Sequence, residues 1–114
     1  MIVGIGTDIV AVARMQQSLS RHQGRIAQRI LSPAELEEFG QRNEKMRPHF
    51  LAKRFAAKEA AAKALGTGFR AGIQLPQIEV GHDEQGKPLL QWYGAALKQF
   101  QQLSATTAHL SISD

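Results

Sequence analysis

The sequence predicts an α+β domain in which a small, largely antiparallel sheet packs against a long central helix. Its 114 residues, 43% hydrophobic and 21% charged, suit one compact domain and argue against a disordered chain. The longest helical pattern runs from Pro48 to Leu65. A β-hairpin pattern follows it over residues 75–92. These three observations define the fold class.

The composition excludes several kinds of protein. The absence of cysteine rules out disulfides, a thiol nucleophile and cysteine-rich zinc sites. No apolar run approaches the ~20 residues of a membrane span, and the first residues do not form a secretory leader, so we expect a cytoplasmic protein. A net charge of +4 favours an anionic partner, either nucleic acid, a phosphorylated metabolite, anionic lipid or an acidic protein.

The first elements are predicted from glycines and apolar spacing. Residues 2–7 predict a short buried strand. A helix then begins near Asp8, is interrupted at Gly24 and resumes over residues 25–31. The next helix begins with Ser32 as N-cap and Glu35 completing a capping box. It should end near residue 40.

The second half follows from capping and turn residues. Proline opens the central helix at position 48, and Gly66 lies just past its end. A strand over 75–81, a turn over 83–86 and a return through Trp92 form the hairpin. A helix over 94–103 and an alternating strand over 109–113 complete the chain. Because exposed strand edges need covering, we expect homo-oligomerisation.

The charges of the central helix are its most informative feature. Arg54 and Lys58 form a like-charge i,i+4 pair, which weakens a helix by roughly 0.2–0.5 kcal/mol unless an anion lies nearby. Glu59 and Lys63 form a second pair of opposite sign. A polyanion with a bound divalent cation would satisfy all four charges. The alternative is a set of snorkelling cations and an ordinary surface ion pair.

Asp8 is a second candidate for function. It is either the N-cap of the first helix or a metal ligand after the glycine-rich strand. Two carboxylates with phosphate and water would suit Mg²⁺. The glycines at 4 and 6 do not form a dinucleotide fingerprint, since Ile9 occupies the third glycine position, and Gly66 does not begin a phosphate-binding loop.

Two further groups of polar residues have open interpretations. Arg14, Arg21, Arg25 and Arg29 form one basic stripe if helical geometry continues through Gly24. The stripe is either a solvated face or a docking surface for an acidic partner. The four histidines lack metal-ligand spacing, and His109 is singled out because it begins the last predicted strand.

The segments together resemble the holo-acyl-carrier-protein synthase family, the small type of 4′-phosphopantetheinyl transferase. The similarity spans nearly the whole chain, and the order and spacing of the segments make it specific. The matching segments are residues 4–10, 50–60, 63–68, 86–88 and 109–113. Members of this family usually continue into one more strand, which would lie beyond Asp114. The resemblance implies a single transferase domain over 1–114, completed by trimerisation.

The resemblance also implies an activity, a metal and a partner. Such enzymes transfer the phosphopantetheine arm of coenzyme A to a serine of apo-acyl carrier protein, in fatty acid biosynthesis, and release adenosine 3′,5′-bisphosphate. The residues matching Asp8 and Glu59 hold Mg²⁺, with Mn²⁺ as an alternative, and the lysine matching Lys63 contacts the pyrophosphate. All three are candidate catalytic residues.

Further positions match the family's binding surfaces. Lys45, Phe50 and Arg54 resemble residues that one protomer offers to its neighbour's coenzyme A. Gly66 and His109 match contacts within the same site. By the same resemblance, Arg14, Arg21 and Arg25 belong to the surface that receives the carrier protein.

The chemistry expected of such a site is electrostatic. Mg²⁺ and Lys63 would stabilise the charge that develops on the leaving phosphate. Either a metal-bound water or Glu59 would take the proton of the attacking serine. Two rival functions are a basic nucleic-acid-binding domain and an inactive member that only docks a carrier protein. Low aromatic content disfavours the first, and retention of Asp8, Glu59 and Lys63 disfavours the second.

Overall fold

The computed structural model describes residues 12–21, 24–66, 69 and 72–113, with side chains up to residue 104. The predicted strand over 2–7 and Asp8 lie outside this range. Helices and one hairpin make up the described chain, which confirms the α+β class. Their order is α1 (12–21), α2 (Arg25–Ile30), α3 (Pro33–Gln41), α4 (Arg47–Ala64), a 3₁₀ turn (Leu75–Gln77), β1 (Ile78–His82), β2 (Pro88–Trp92) and α5 (Gly94–Ser113).

The predicted helix starts are confirmed by cap geometry. Gly24 adopts a left-handed φ of 88° directly before α2, as an interruption there requires. Ser32 and Glu35 form the predicted capping box, with the Ser32 side chain accepting from the Glu35 amide at 3.3 Å and the Glu35 carboxylate accepting from the Ser32 amide at 2.9 Å. Arg47 then ties the end of α3 to the start of α4, because its guanidinium donates to the Gly40 carbonyl at 3.1 Å.

Helix α4 is central to both hydrophobic clusters of the described chain. It begins at Arg47, one residue earlier than predicted, and Gly66 lies beyond its end with a φ of 84°. One cluster joins Phe50 and Leu51 to α1 and α2. The other joins Ala62 to Ile78 of β1 and to α5. The predicted packing of the sheet against a long helix is therefore observed.

The hairpin is antiparallel, with Val80 opposite Leu90. Its first strand begins at Ile78, three residues later than predicted, because Leu75–Gln77 form a 3₁₀ turn in which Pro76 cannot donate to a strand neighbour. The turn is closed by the Asp83 carboxylate, which accepts from the amides of residues 85 and 87 at 2.9 and 2.8 Å. The turn prediction is confirmed.

The predicted strand over 109–113 is wrong, since α5 continues through it to Ser113. No glycine or proline follows Gly94, so nothing local ends the helix. In addition, a strand needs a hydrogen-bonding neighbour, and the sheet of the described chain holds β1 and β2 only. None of the helices in the described ranges has both the length and the hydropathy of a membrane span.

Candidate functional site

A buried ion cluster, formed by Ser32, Glu35, Arg54 and Lys58, joins α4 to its neighbours. Glu35 and Lys58 are 0% exposed and Arg54 is 6% exposed. The Lys58 ammonium donates to one oxygen of Glu35, and the Arg54 guanidinium donates to the other at 3.3 Å. The anion near Arg54 and Lys58 is thus a carboxylate of the chain itself. These two cations therefore do not need a bound polyanion to satisfy their charge.

Glu35 is held by donors on three sides. Its carboxylate accepts from the Ser32 amide at 2.9 Å and from the Val80 amide of β1 at 3.2 Å, in addition to the two cations. Burial opposes ionisation, but the bonds from Lys58, Ser32 and Val80 outweigh it and lower the pKa of Glu35 below its usual value. Glu35 is therefore ionised although it is buried.

Lys58 and Arg54 use their remaining hydrogens on backbone carbonyls. Lys58 donates to Ile30 of α2 at 2.7 Å and to Leu75 of the 3₁₀ turn at 3.1 Å. Arg54 donates to Val80 at 2.8 Å. Within the described chain no buried side-chain polar atom lacks a partner, so the cluster satisfies its members fully.

Arg54 also reaches the surface. Its second terminal nitrogen pairs with Glu38 at 3.1 Å, and its guanidinium carbon lies 4.5 Å from the centre of the Phe50 ring. Arg54 and Phe50 line a groove of about 620 Å³ between α4 and the hairpin. We call this the basic groove, since Arg42, His49, Lys53 and His82 also line it. Arg42 stacks on the same ring at 5.4 Å.

Glu59 and Lys63 lie on a different side of α4 from the ion cluster. Glu59 is half-buried and Lys63 is exposed. No ion pair joins them, and neither side chain bonds to any residue of the described chain. The alternative of an ordinary surface ion pair between them is therefore not observed. Gly66, with its left-handed backbone, is exposed and follows one turn later.

The remaining candidate residues are not joined to Glu59 and Lys63 by any contact among the described residues. Lys45 is exposed and lines a second groove of about 630 Å³ with Val12 and Phe39, next to the basic groove, with which it shares His49. His109 lies in α5, beyond the described side chains. Asp8 lies outside the described residues, and the described residues contain no cluster of three metal-ligating side chains.

The four arginines of the basic stripe do not lie on one continuous helix. Arg14, Arg21, Arg25 and Arg29 are all exposed. However, the left-handed Gly24 begins a new helix at Arg25, so the geometry that would align all four does not continue through it. Each pair of arginines lies on its own helix.

An exposed apolar surface follows the hairpin into α5, and we call it the apolar face. Its side chains are between 37% and 51% exposed, which is high for large hydrophobic residues. Leu90, Leu97 and Phe100 lie on the Trp92 side of the hairpin, whereas Leu89 and Tyr93 lie on its opposite side, because successive side chains of a strand alternate. Phe100 stacks on Trp92 with ring centres 5.1 Å apart, so the face is ordered within one chain.

Glu35 is the residue that sequence reasoning missed. It was identified only as a cap residue, yet it is the anion that Arg54 and Lys58 require. Two cations one turn apart on a helix rich in buried apolar residues are a signal for a buried partner. The sequence contains several acidic residues that could be this buried partner. Only the tertiary structure shows that it is Glu35.

Comparison with known proteins gives the chain a clear set of relatives. The model of the 4′-phosphopantetheinyl transferase superfamily matches residues 4–112. A holo-[acyl-carrier-protein] synthase of Halorhodospira halophila is 54% identical over 114 residues, which cover 100% of this chain and 89% of that protein. A synthase of Photorhabdus laumondii is 52% identical over 113 residues, which cover 99% and 88% of the two chains.

Solved structures of two further synthases are similar to this chain. The crystal structure of holo-[acyl-carrier-protein] synthase from Neisseria meningitidis matches with a TM-score of 0.70 and 41% identity, over 83% of this chain and 74% of that one. A structure of acyl carrier protein synthase from Plasmodium yoelii with ADP bound matches with a TM-score of 0.68 and 34% identity, over 81% and 69%.

Proposed function

The chain belongs to the 4′-phosphopantetheinyl transferase superfamily, and from this premise we propose that it is a holo-acyl-carrier-protein synthase. It transfers the phosphopantetheine arm of coenzyme A to a serine of apo-acyl carrier protein and releases adenosine 3′,5′-bisphosphate. The observation that carries the proposal is identity of 54% and 52% to two such synthases over essentially the whole chain. The modified carrier protein would serve fatty acid biosynthesis in the cytoplasm.

Glu59, together with Asp8, is the proposed holder of Mg²⁺. Carboxylate oxygens are the hard ligands that this ion prefers, and Mn²⁺ accepts the same oxygens. The Glu59 carboxylate fits the role because no described residue bonds to it. When bound, the ion neutralises charge on the pyrophosphate.

Lys63 is the proposed stabiliser of the leaving group. Attack of the serine oxygen on the phosphorus that bears the pantetheine arm breaks the pyrophosphate bond and leaves charge on the departing phosphate. The Lys63 ammonium is exposed and unpaired within the described chain, so it is available to that charge. The serine proton passes either to Glu59 or to water at the site.

Coenzyme A is proposed to extend over residues of two protomers. Arg54 and Phe50 line the basic groove, but both are buried and Arg54 is already paired with Glu35 and Glu38. The exposed Arg42 and Lys53 of the same groove therefore supply the cations that suit a nucleotide with phosphates. Lys45 adds a further exposed cation. Gly66 and His109 contribute on the other protomer's side of the site.

The carrier protein is proposed to dock on the helices that bear Arg14, Arg21 and Arg25. All three are exposed. Exposed cations attract an acidic partner mainly by raising the rate of encounter. The broken stripe divides this surface between α1 and α2.

A homotrimer is proposed to cover the apolar face. Large exposed hydrophobic side chains on a hairpin and an adjacent helix are typical of a protein interface. The proposal that coenzyme A extends over two protomers requires the basic groove of one protomer to lie close to Glu59 and Lys63 of the next.

The direct test is to incubate the chain with apo-acyl carrier protein, coenzyme A and Mg²⁺ and to weigh the carrier protein by mass spectrometry. We expect a gain of about 340 Da, one phosphopantetheine arm, that disappears with EDTA because the reaction depends on the metal. A carrier protein with its serine changed to alanine is the control. No gain from trimeric protein would overturn the proposal, and salt-sensitive nucleic-acid binding without Mg²⁺ would support the rival function.

A further inference from the structure

Helix α4 carries the proposed Glu59 and Lys63 in its second half, where its buried apolar surface consists of small side chains. Phe50 and Leu51 pack into the core in the first half of the helix, whereas the buried apolar residues beside Glu59 and Lys63 are Ala61 and Ala62. Small side chains interdigitate little with their neighbours. Cores that lack shape complementarity lose a unique arrangement before they lose stability. The alanines therefore constrain the rotation of this half of α4 less than a buried side chain with directional contacts does.

The buried ion cluster supplies directional contacts to four neighbouring elements. Lys58 bonds to carbonyls of α2 and the 3₁₀ turn and to the Glu35 carboxylate of α3. Arg54, one turn earlier, bonds to β1 at Val80. Hydrogen bonds weaken steeply with misalignment. Rotation of α4 by one residue would break all of these bonds together.

Glu59 follows Lys58 directly in the chain, so the cluster determines where it points. At about 100° per residue, Glu59 lies about 100° and Lys63 about 140° around the helix from Lys58. One buried lysine thus aims two neighbouring side chains away from the core.

We propose that Glu35 and Lys58 are positioning residues, whose buried ion pair sets the rotation of α4 and so aims Glu59 and Lys63 at the coenzyme A pyrophosphate and its metal. The inference rests on the proposed function for the identity of the target. It assigns no contact between Glu35 or Lys58 and the substrate.

Stability and positioning are separable for such a pair. Replacing a buried ion pair with uncharged groups of similar volume is often neutral or stabilising, because the charges no longer lose their hydration. A purely structural pair would therefore be replaceable without loss of turnover. A positioning pair would not be replaceable in this way.

The test is the double variant Glu35→Gln with Lys58→Met, which keeps the net charge. Its matched control is Glu84→Gln with Lys98→Met, which makes the same changes at exposed positions of the hairpin and α5. Turnover per folded chain and KM for coenzyme A are measured well below the melting temperature. We expect turnover to fall about a hundredfold, the loss that follows a misplacement of about 1 Å, while the control matches the parent chain.

A second readout measures the helix without reference to activity. The chain has no cysteine, so spin labels can be placed specifically at the exposed Ala34 of α3 and Ala60 of α4. Labelled chain is diluted with unlabelled chain so that only pairs within one protomer are measured. We expect a broader or shifted distance distribution in the double variant.

Each outcome decides the proposal. Unchanged turnover, or an unchanged distance distribution in a folded variant, overturns it. If the double variant does not fold, Glu35→Asp, which keeps the charge but shortens the side chain, is held to the same two criteria. If the parent chain modifies no carrier protein, the proposed function fails, and the distance measurement still decides whether the cluster orients α4.

Discussion

Lys58 and Lys63 lie five residues apart on α4 and occupy opposite environments. Lys58 is fully buried and bonds to Glu35, Ile30 and Leu75. Lys63 is exposed and bonds to no described residue. Two identical side chains on one helix therefore have different chemical capacities. Lys58 stabilises the fold, whereas the Lys63 ammonium is available to bind an anion.

Replacement of Lys63 by alanine should lower turnover with little effect on coenzyme A binding. Removal of one group that stabilises charge in a transition state lowers kcat by about 10²–10³-fold. Steady-state kinetics measure kcat and KM separately, and Lys98→Ala on the exposed side of α5 is the control. An unchanged kcat would exclude Lys63 from the leaving-group role.

At this scale the sequence was partly informative. The charges at positions 59 and 63 are a local pattern, and in the structure neither side chain bonds to the rest of the described chain. The role of Glu35 depends on α3 crossing α4 and on an amide of β1. Those contacts span 19, 23 and 45 residues of sequence, and no local pattern encodes them.

Among the elements, those with strong caps and turns were predicted well. The Ser32 capping box, the Gly66 end of α4 and the Asp83 turn are local in sequence. The last predicted strand failed because alternation over residues 109–113 is compatible with a helix as well. Strand formation there depends on a partner strand, which local sequence does not provide.

Gly86→Ala tests the hairpin turn at this scale. Gly86 has a φ of 84° and no atom within 4 Å of an added Cβ, so the cost is one of backbone conformation and not of collision. We expect a loss of about 1–2 kcal/mol in unfolding free energy, the penalty of a left-handed residue other than glycine. Urea unfolding monitored by circular dichroism measures it.

Gly40→Ala is the matched control, since Gly40 lies within α3 and an added Cβ there also meets open space. Because glycine is disfavoured inside helices, this change should stabilise the chain by roughly 0.5–1 kcal/mol. If both variants shifted stability in the same direction, the left-handed turn would not be the cause of the Gly86 effect.

The stability of the whole molecule should depend on pH through Glu35. Its pKa is lowered in the folded state, so the ionised form favours folding. That contribution is fully present above pH about 4.3, the ordinary value for glutamate. It is lost as pH falls further, through the folded pKa. Urea unfolding between pH 3 and 7 should show this loss, and the Glu35→Gln, Lys58→Met variant should lack this part of it.

Assembly of the whole molecule should depend on the apolar face. Leu90→Glu places a charge on the side of the hairpin that bears Trp92 and Phe100, where burial against another chain would leave that charge unpaired. We expect sedimentation velocity to show a shift from trimer to monomer at micromolar concentration. Gln85→Glu, in the exposed hairpin turn, should sediment as the parent chain does. A monomeric parent chain would remove the need for the face to be covered by its own copies.

The buried ion cluster also bears on how the chain opens. A carboxylate that stays in the low-dielectric interior with only some of its partners has a higher free energy than one returned to water. Partial opening is therefore disfavoured. Release of α3 alone would leave Arg54 and Lys58 buried without the Glu35 carboxylate. Release of β1 alone would leave that carboxylate without the Val80 amide. The amide hydrogens of α3, α4 and β1 should therefore exchange with solvent as one cooperative unit, although the sequence separates these elements. The described side chains of α5 make no bond to the cluster, so the amides of this helix should exchange earlier.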